Sequence, residues 1–124
     1  MKLRIRENTV RLRLTRPEVD TFAKEGCIEN KTEFGFADFV YALQTLNGIE
    51  TLAATYIGNK ITVFMPSAMK KEWTTTDIVG FGNDMGVVGG KSLFILVEKD
   101  WACTDNTTGE DQSDNYPNPN GESC

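Results

Sequence analysis

The first stretch of the chain, LRIRENTVRLRLT, alternates apolar and charged residues, and Glu7-Asn8-Thr9 separates its two alternating halves. One face of the pattern carries Leu3, Ile5, Val10, Leu12 and Leu14, and the other carries Arg4, Arg6, Arg11 and Arg13. A period of two over short runs on either side of polar turn residues is typical of a β-hairpin. The sequence therefore predicts a hairpin with one apolar and one arginine-rich face.

The spacing then changes to that of a helix. Apolar residues recur at helical spacing between Thr15, which is a suitable N-cap, and Gly26, which ends the run. Pro17 fits the first turn, where no backbone N–H is required. This pattern predicts a short helix over about residues 16–25, followed by a strand over residues 27–34.

A second hairpin and helix follow in the same order. LAATYIGNKITVFMP predicts a hairpin with Gly58-Asn59 at its tip, and Pro66 opens a helix that runs through Trp73. DIVGF then predicts a strand, residues 82–90 a glycine-rich loop that serves as a mobile hairpin connection, and SLFILVEKD a final strand.

The segment FGFADFVYALQTLNG fits either a helix or a strand by its own pattern. The order of elements decides between them, because the two hairpin-plus-helix passages suggest an internal duplication. In the second passage the helix is followed by two strands, so FADFVYAL is predicted to be a strand as well.

The predicted fold is α+β, with about eight strands and two short helices built from two similar strand-strand-helix-strand-strand units, about residues 1–46 and 51–100. The strands are expected to be mostly antiparallel, either as a sheet covered by helices or as a barrel-like closure. At 124 residues the chain has the length of one domain. We predict a domain over residues 1–103 and an acidic tail or strap over residues 104–124.

Charge is divided unevenly along the chain, whose formal net charge is −5. The acidic residues of the tail, where Lys and Arg are missing, are Asp105, Glu110, Asp111, Asp114 and Glu122. Residues 1–16 hold six basic residues against Glu7 alone. A basic N-terminal end and an acidic C-terminal end are therefore expected to attract each other.

Several classes of chemistry have no support in this sequence. There is no histidine, which removes the commonest general base and transition-metal ligand, and the glycines match no phosphate-binding loop. No pattern assigns a cofactor. The N-terminal residues hold no unbroken apolar run that would enter a membrane, so we expect a cytoplasmic protein whose three cysteines stay thiols.

The arginine face of the first hairpin is the candidate binding site. It consists of Lys2, Arg4, Arg6, Arg11 and Arg13. Guanidinium groups in a row can bind phosphate or carboxylate, so we expect a non-catalytic module for an anionic small molecule or an acidic protein surface. The alternative is a solvated face paired with Glu29, Lys31 and Glu33 or with Glu98 and Asp100. An acidic chain without interleaved aromatic residues disfavours nucleic acid as a partner.

A second function is expected if the strands close into a barrel and the arginines line a tunnel inside it. Such a tunnel resembles that of the triphosphate-tunnel enzymes, which implies a metal-dependent phosphohydrolase. Arg4, Arg6, Arg11 and Arg13 would then bind phosphate, and Glu29, Glu33 or Glu98 would bind the metal. The alternating Glu-x-Glu-x-Lys of that group is missing, since the first strand is KLRIRE.

Three interpretations of the tail remain open. It is a disordered acidic end; or it is an ordered strap anchored by Tyr116 and Pro117, with Asp111 and Asp114 on the basic hairpin; or Cys103 and Cys124 meet. In the last case they form a disulfide or bind a metal together with Glu110, Asp111 or Asp114. Cys27 is expected to be a small buried apolar residue.

The segments MKLRIRENTVRLRLT, GNKITVFMP, TTDIVGF and VEKDWACTDNTTGEDQSDNYPNPNGESC together resemble a small family of uncharacterised bacterial proteins of unknown function. The resemblance runs over the whole chain. It implies a compact cytoplasmic bacterial protein and supplies no catalytic residues.

Overall fold

The alternating and helical patterns form the expected elements in the computed structural model, which describes residues 1–100. The elements are β1 (Lys2–Arg6), β2 (Thr9–Leu14), α1 (Arg16–Glu25), β3 (Cys27–Glu33), β4 (Asp38–Leu46), β5 (Ala53–Ile57), β6 (Lys60–Pro66), α2 (Ser67–Thr75), β7 (Gly80–Val87) and β8 (Lys91–Lys99). The prediction of an α+β fold with eight strands and two short helices is confirmed over these residues. The ambiguous segment FADFVYAL was predicted to be a strand from the order of elements, and its residues 38–43 lie in β4, whereas residues 36 and 37 belong to the preceding turn.

Both ends of α1 follow from local sequence. The Glu18 carboxylate accepts hydrogen bonds from the Thr15 N–H at 2.9 Å and from the Thr15 hydroxyl at 3.0 Å, which fixes the first turn. Gly26 ends the helix with φ 73° and donates its N–H to the Phe22 carbonyl at 2.8 Å. Glycine adopts this left-handed conformation without steric cost, so the chain can turn directly into β3.

Glu18 also connects α1 to the start of the chain, because the N-terminal ammonium of Met1 donates a hydrogen bond to its carboxylate. Burial alone would raise the pKa of Glu18. The hydrogen bonds from this ammonium and from Thr15 outweigh burial, and the pKa lies below its ordinary value of 4.5. The carboxylate is therefore held in its charged form where three parts of the chain meet.

The single tryptophan of helix α2, Trp73, anchors this helix to the core. Trp73 is fully buried, and its ring meets that of Phe22 from α1 edge-on, with centroids 6.1 Å apart. Its indole N–H donates to the Val79 carbonyl at 2.9 Å, immediately before β7 begins. The two helices thus pack against each other where the chain passes between the sheets.

The strands form two four-stranded sheets, which we call sheet A (order β1-β2-β8-β7) and sheet B (order β3-β4-β6-β5). Each sheet combines one hairpin from the first half of the chain with one from the second. The pairings within hairpins are antiparallel, but the central pairings β2–β8 and β4–β6 are parallel. The sheets are therefore mixed, and residues 1–100 form no closed barrel.

Alternation along the strands gives each sheet an inner and an outer face. The inner faces and the helices share one core, which consists of Val10, Leu12, Leu14, Val19, Phe22, Leu43, Leu52, Ile61, Val63, Met65, Trp73, Ile95 and Val97. Two hydrogen bonds also connect sheet A to sheet B. The Tyr41 hydroxyl donates to the Met1 carbonyl at 2.8 Å, and the Asn83 amide donates to the Leu52 carbonyl at 2.9 Å.

The two ends of this sandwich differ. Both helices lie at one end, where β2 leads into α1 and β6 leads into α2; we call this the helix end. The turns of all four hairpins lie at the opposite end, which we call the open end. Residues of this end are covered by no helix in the part of the chain that the structure describes.

One predicted element is wrong. The glycine-rich stretch from Gly82 was expected to be a loop, but β7 runs to Val87 and only a short turn precedes β8 at Lys91. In β7, Phe81 and Met85 pack toward the core, and glycines occupy alternate positions on the outer face. The core-facing residues of β7 do follow a period of two, but the glycines between them made the segment look like a loop.

Candidate functional site

All five predicted site residues lie on the outer face of sheet A. In the register of β1 and β2, Arg4 lies opposite Arg11 and Lys2 lies opposite Arg13. Their neighbours Leu12 and Leu14 are fully buried in the core, so the basic side chains alternate to the other side. We call the surface formed by Lys2, Arg4, Arg6, Arg11 and Arg13 the basic face.

Glu98 of β8 lies inside this surface and holds two of its arginines. It faces Arg13 in the β2–β8 register, its carboxylate accepts a hydrogen bond from Arg11 Nε, and its Oε1 lies 3.3 Å from Arg13 Nε. The three side chains are only 14% to 21% exposed. This is the pairing with Glu98 that the alternative interpretation of the face had expected; its hydrogen bond orders Arg11, whereas the buried Arg13 Nε forms an ion pair without a hydrogen bond.

The remaining residues of the basic face are more accessible. Lys2 Nζ lies 2.9 Å from Asp100 Oδ2, and its side chain is 70% exposed. Arg6 is exposed at the open end and makes no ion pair or hydrogen bond with residues 1–100. The face is therefore partly neutralised at the helix end and free of such pairing at Arg6.

Beyond the arginines, the outer face of sheet A carries two apolar side chains of β8, Leu96 and Phe94, and the exposed Asp84 of β7. Leu96 lies beside Arg11 in the register, and the Phe94 ring covers Gly82 of β7. A Cβ atom at Gly82 would lie 3.0 Å from Phe94 Cζ. The cationic groups thus lie next to the apolar side chain of Leu96 on the same sheet.

The outer face of sheet B, by contrast, balances its charges locally. Lys60 Nζ lies 2.6 Å from the Glu29 carboxylate, whose hydrogen bond raises the pKa of Lys60. Lys31 lies near both Glu33, at 3.3 Å, and Asp38, at 3.8 Å. No excess of positive charge comparable to the basic face results there.

The acidic residues proposed for a phosphohydrolase metal are separated by this arrangement. Glu98 lies on the outer face of sheet A, whereas Glu29 and Glu33 lie on the outer face of sheet B. Within residues 1–100 no group of three or more Cys, Asp or Glu is placed to hold a metal ion. The tail candidates Cys103, Cys124, Asp111 and Asp114 lie outside the described residues.

A second site was not predicted from the sequence. At the open end, the two inner faces separate around an apolar cleft of about 440 Å³. Its lining consists of Ile5, Val10, Phe39, Ala54, Thr55, Tyr56, Ile61, Met85, Val87 and Leu93. Large apolar residues near the hairpin turns are exposed, namely Phe34, Phe36, Tyr56, Ile57 and Val88, and Tyr56 among them lines the cleft.

Neither helix within residues 1–100 has the length and apolar character to span a bilayer.

Comparison with known proteins identifies the family. Residues 1–120 match the model of a family of unknown function (DUF7009), and the chain belongs to that family. The resemblance to a family without an assigned function is thereby confirmed. Neither the curated proteins nor the solved structures give a match.

Proposed function

We propose, starting from membership of a family without an assigned function, that this chain is a non-catalytic binding module whose basic face binds an anionic ligand or an acidic protein surface. The observation that carries the proposal is the gathering of five cationic side chains on one sheet face of a chain with net charge −5. A molecule with this net charge repels anions in general. Attraction of an anion therefore depends on a local concentration of positive charge.

The order imposed by Glu98 supports this proposal. Because Glu98 contacts Arg11 and Arg13, these guanidinium groups are held in place before a ligand arrives. Each guanidinium has five N–H donors, so one shared carboxylate leaves donors for a further oxygen ligand. Preorganised donors lose less side-chain entropy on binding than mobile ones.

The acidic tail is a candidate ligand within the same chain. Asp100, the last described residue, pairs with Lys2, so the chain leaves the described part beside the basic face. Residues 101–124 carry five acidic residues and no Lys or Arg. We propose that Asp111 and Asp114 of this segment compete with external anions for the face.

Deleting residues 104–124 tests this competition. The deletion is expected to lower the melting temperature and to strengthen binding of a fluorescently labelled poly-glutamate peptide, because internal competition is removed. Fluorescence anisotropy at low and high salt measures that binding, which should weaken as salt screens the charges. An unchanged melting curve together with unchanged affinity contradicts the strap.

The phosphohydrolase is not proposed further, since no observation favours it. Its tunnel requires arginines and acidic residues that converge inside a barrel, whereas those within residues 1–100 point outward from two sheets. A thermal-shift experiment with triphosphate and Mg²⁺ or Mn²⁺, combined with a phosphate-release assay, distinguishes the two functions. A metal-dependent stabilisation accompanied by phosphate release would favour the enzyme.

We also propose that the chain arose by duplication of a hairpin-helix-hairpin unit. In support, β2 of the first half pairs in parallel with β8 of the second, and β6 of the second half pairs in parallel with β4 of the first. An experimental structure in which residues 2–46 fail to superpose on residues 53–99 would contradict this. A bacterial origin and a cytoplasmic location remain part of the proposal.

A further inference from the structure

We infer that the apolar cleft at the open end binds a single-chain amphipathic anion, of the class of a medium-chain fatty acid, with the chain between the sheets and the carboxylate at Lys91. This site lies on the inner faces of the sheets. It is therefore independent of the basic face and of the function proposed for it.

The cleft has the size and chemistry of a small-molecule site. Its volume of about 440 Å³ falls in the lower part of the range for ligand pockets, roughly 300–1,000 Å³. Among its lining residues only Thr55 and Tyr56 carry hydroxyl groups, and the rest are apolar. Such a lining favours a hydrocarbon group, and such a volume favours one chain rather than two.

The cleft also leaves apolar surface exposed that a ligand would cover. Val10 and Ile61, with exposures of 7% and 8%, belong to the core and also line the cleft. Nearer the opening, Ile5 is 54% and Tyr56 is 66% exposed. Protein interiors are normally close-packed, and the burial of apolar area is favourable. An apolar chain that enters the cleft therefore removes this apolar surface from water.

A cationic group stands at the opening. Lys91 begins β8 two residues before Leu93, so it lies on the same face of the strand, and its partner in the register is Val87. Both Leu93 and Val87 line the cleft. Lys91 is exposed and makes no ion pair or hydrogen bond with residues 1–100. An apolar cleft with an unpaired ammonium at its edge is complementary to a molecule with an apolar chain and an anionic head.

Displacement of a neutral fluorescent dye, N-phenylnaphthylamine, from the full chain tests the inference. The dye is expected to brighten on binding, and decanoate is expected to displace it at lower concentration than decanol, which has the same chain length without the charge. Lys91→Met should weaken decanoate about 2- to 5-fold, the effect of one exposed charge, and leave decanol unchanged. Lys71→Met, on the exposed surface of α2, is the control for loss of a lysine.

A pair of substitutions on one strand locates the site. Ala54 lines the cleft, and Ala53 points to the outer face of the same strand. Ala54→Phe should fill the cleft and abolish dye binding, whereas Ala53→Phe should preserve it. If Ala54→Phe does not fold, the preference for decanoate over decanol and its loss in Lys91→Met still test the inference.

Three results would overturn the inference. One is the absence of dye binding, and another is an equal loss in Ala53→Phe and Ala54→Phe. The third is binding to anionic phospholipid vesicles without binding to free decanoate, since this would mean that the exposed apolar side chains insert into a bilayer instead.

Discussion

Two glutamates fix the relative positions of segments that are distant in the sequence. Glu18 joins the chain start to α1, and Glu98 joins β8 to the arginines of β2. Thr15 was predicted as the N-cap, and Glu98 was named among the acidic residues that could pair with the hairpin. The sequence could not say which pairing forms, because the pairing depends on the strand that lies beside β2.

The lowered pKa of Glu18 predicts how the stability of the protein depends on pH. Because its pKa is lowered in the folded chain, its contribution is present above the ordinary value of 4.5 and is lost as the pH falls through the folded value. Glu18→Gln should cost about 1 kcal/mol at neutral pH, as expected for a lost capping interaction, and should flatten the decline toward acid. Urea unfolding at neutral and acidic pH measures both effects.

Asp20→Asn is the matched control for this substitution, since Asp20 is an exposed acidic residue on the same helix without a hydrogen bond or ion pair to residues 1–100. Its unfolding curves should follow those of the unchanged chain. If Glu18→Gln and Asp20→Asn behave alike, the proposed role of the Glu18 carboxylate is wrong.

Substitution of Glu98 should change the stability of the protein and its affinity for anions in opposite directions. Glu98→Gln removes the charge that Arg11 and Arg13 share in a partly buried setting, which should cost about 1–3 kcal/mol. The same change makes the basic face more positive, so affinity for poly-glutamate should rise. Urea unfolding and anisotropy measure the two quantities, and weaker anion binding in a folded Glu98→Gln protein would contradict the account.

At the scale of elements, apolar periodicity and turn residues were sufficient to predict most strands and helices, including α1 from residue 16 to 25. The exception is β7. Its outer-face positions are Gly80, Gly82, Asp84 and Gly86, a composition typical of a loop. The strand forms because its inner residues pack on the core. In addition, glycine has no Cβ atom, so the backbone of β8 can lie close to β7.

Glycine is required at one end of β7 and not at the other. A Cβ atom at Gly80 would lie 2.1 Å from the Val97 carbonyl oxygen, whereas one at Gly86 would meet no atom within 4 Å. Gly80→Ala should therefore destabilise the protein by about 2 kcal/mol, within the usual range for overpacking, and Gly86→Ala should be nearly neutral. Thermal unfolding compares the two, and equal effects would show that the approach of β8 does not constrain Gly80.

At the scale of the whole molecule, the decisive feature is the exchange of hairpins between halves. Hairpins are predictable because their strands are adjacent in sequence, but the parallel pairing of β2 with β8 joins residues such as Val10 and Ile95. Local patterns hold no information on such distant pairing. This is why the two-sheet arrangement, the cleft and the position of Glu98 could not be predicted.

The exchange of hairpins predicts that neither half folds alone. Residues 1–48 and residues 49–124, produced as separate chains, should each lack cooperative thermal unfolding, because every sheet needs a hairpin from both. Mixing them should restore a cooperative transition in circular dichroism. A folded, cooperative first half would contradict the observed strand order.

The basic face as the site of anion binding is tested most directly by two double substitutions that change the net charge equally. Arg4→Gln with Arg6→Gln removes two charges from the face, and Lys24→Gln with Lys71→Gln removes two charges from the helices. In anisotropy titrations with labelled poly-glutamate, the first variant should bind several-fold more weakly than the unchanged chain, and the second should bind as the unchanged chain does. Equal weakening in both variants, or no binding by the unchanged chain at low salt, would contradict the account.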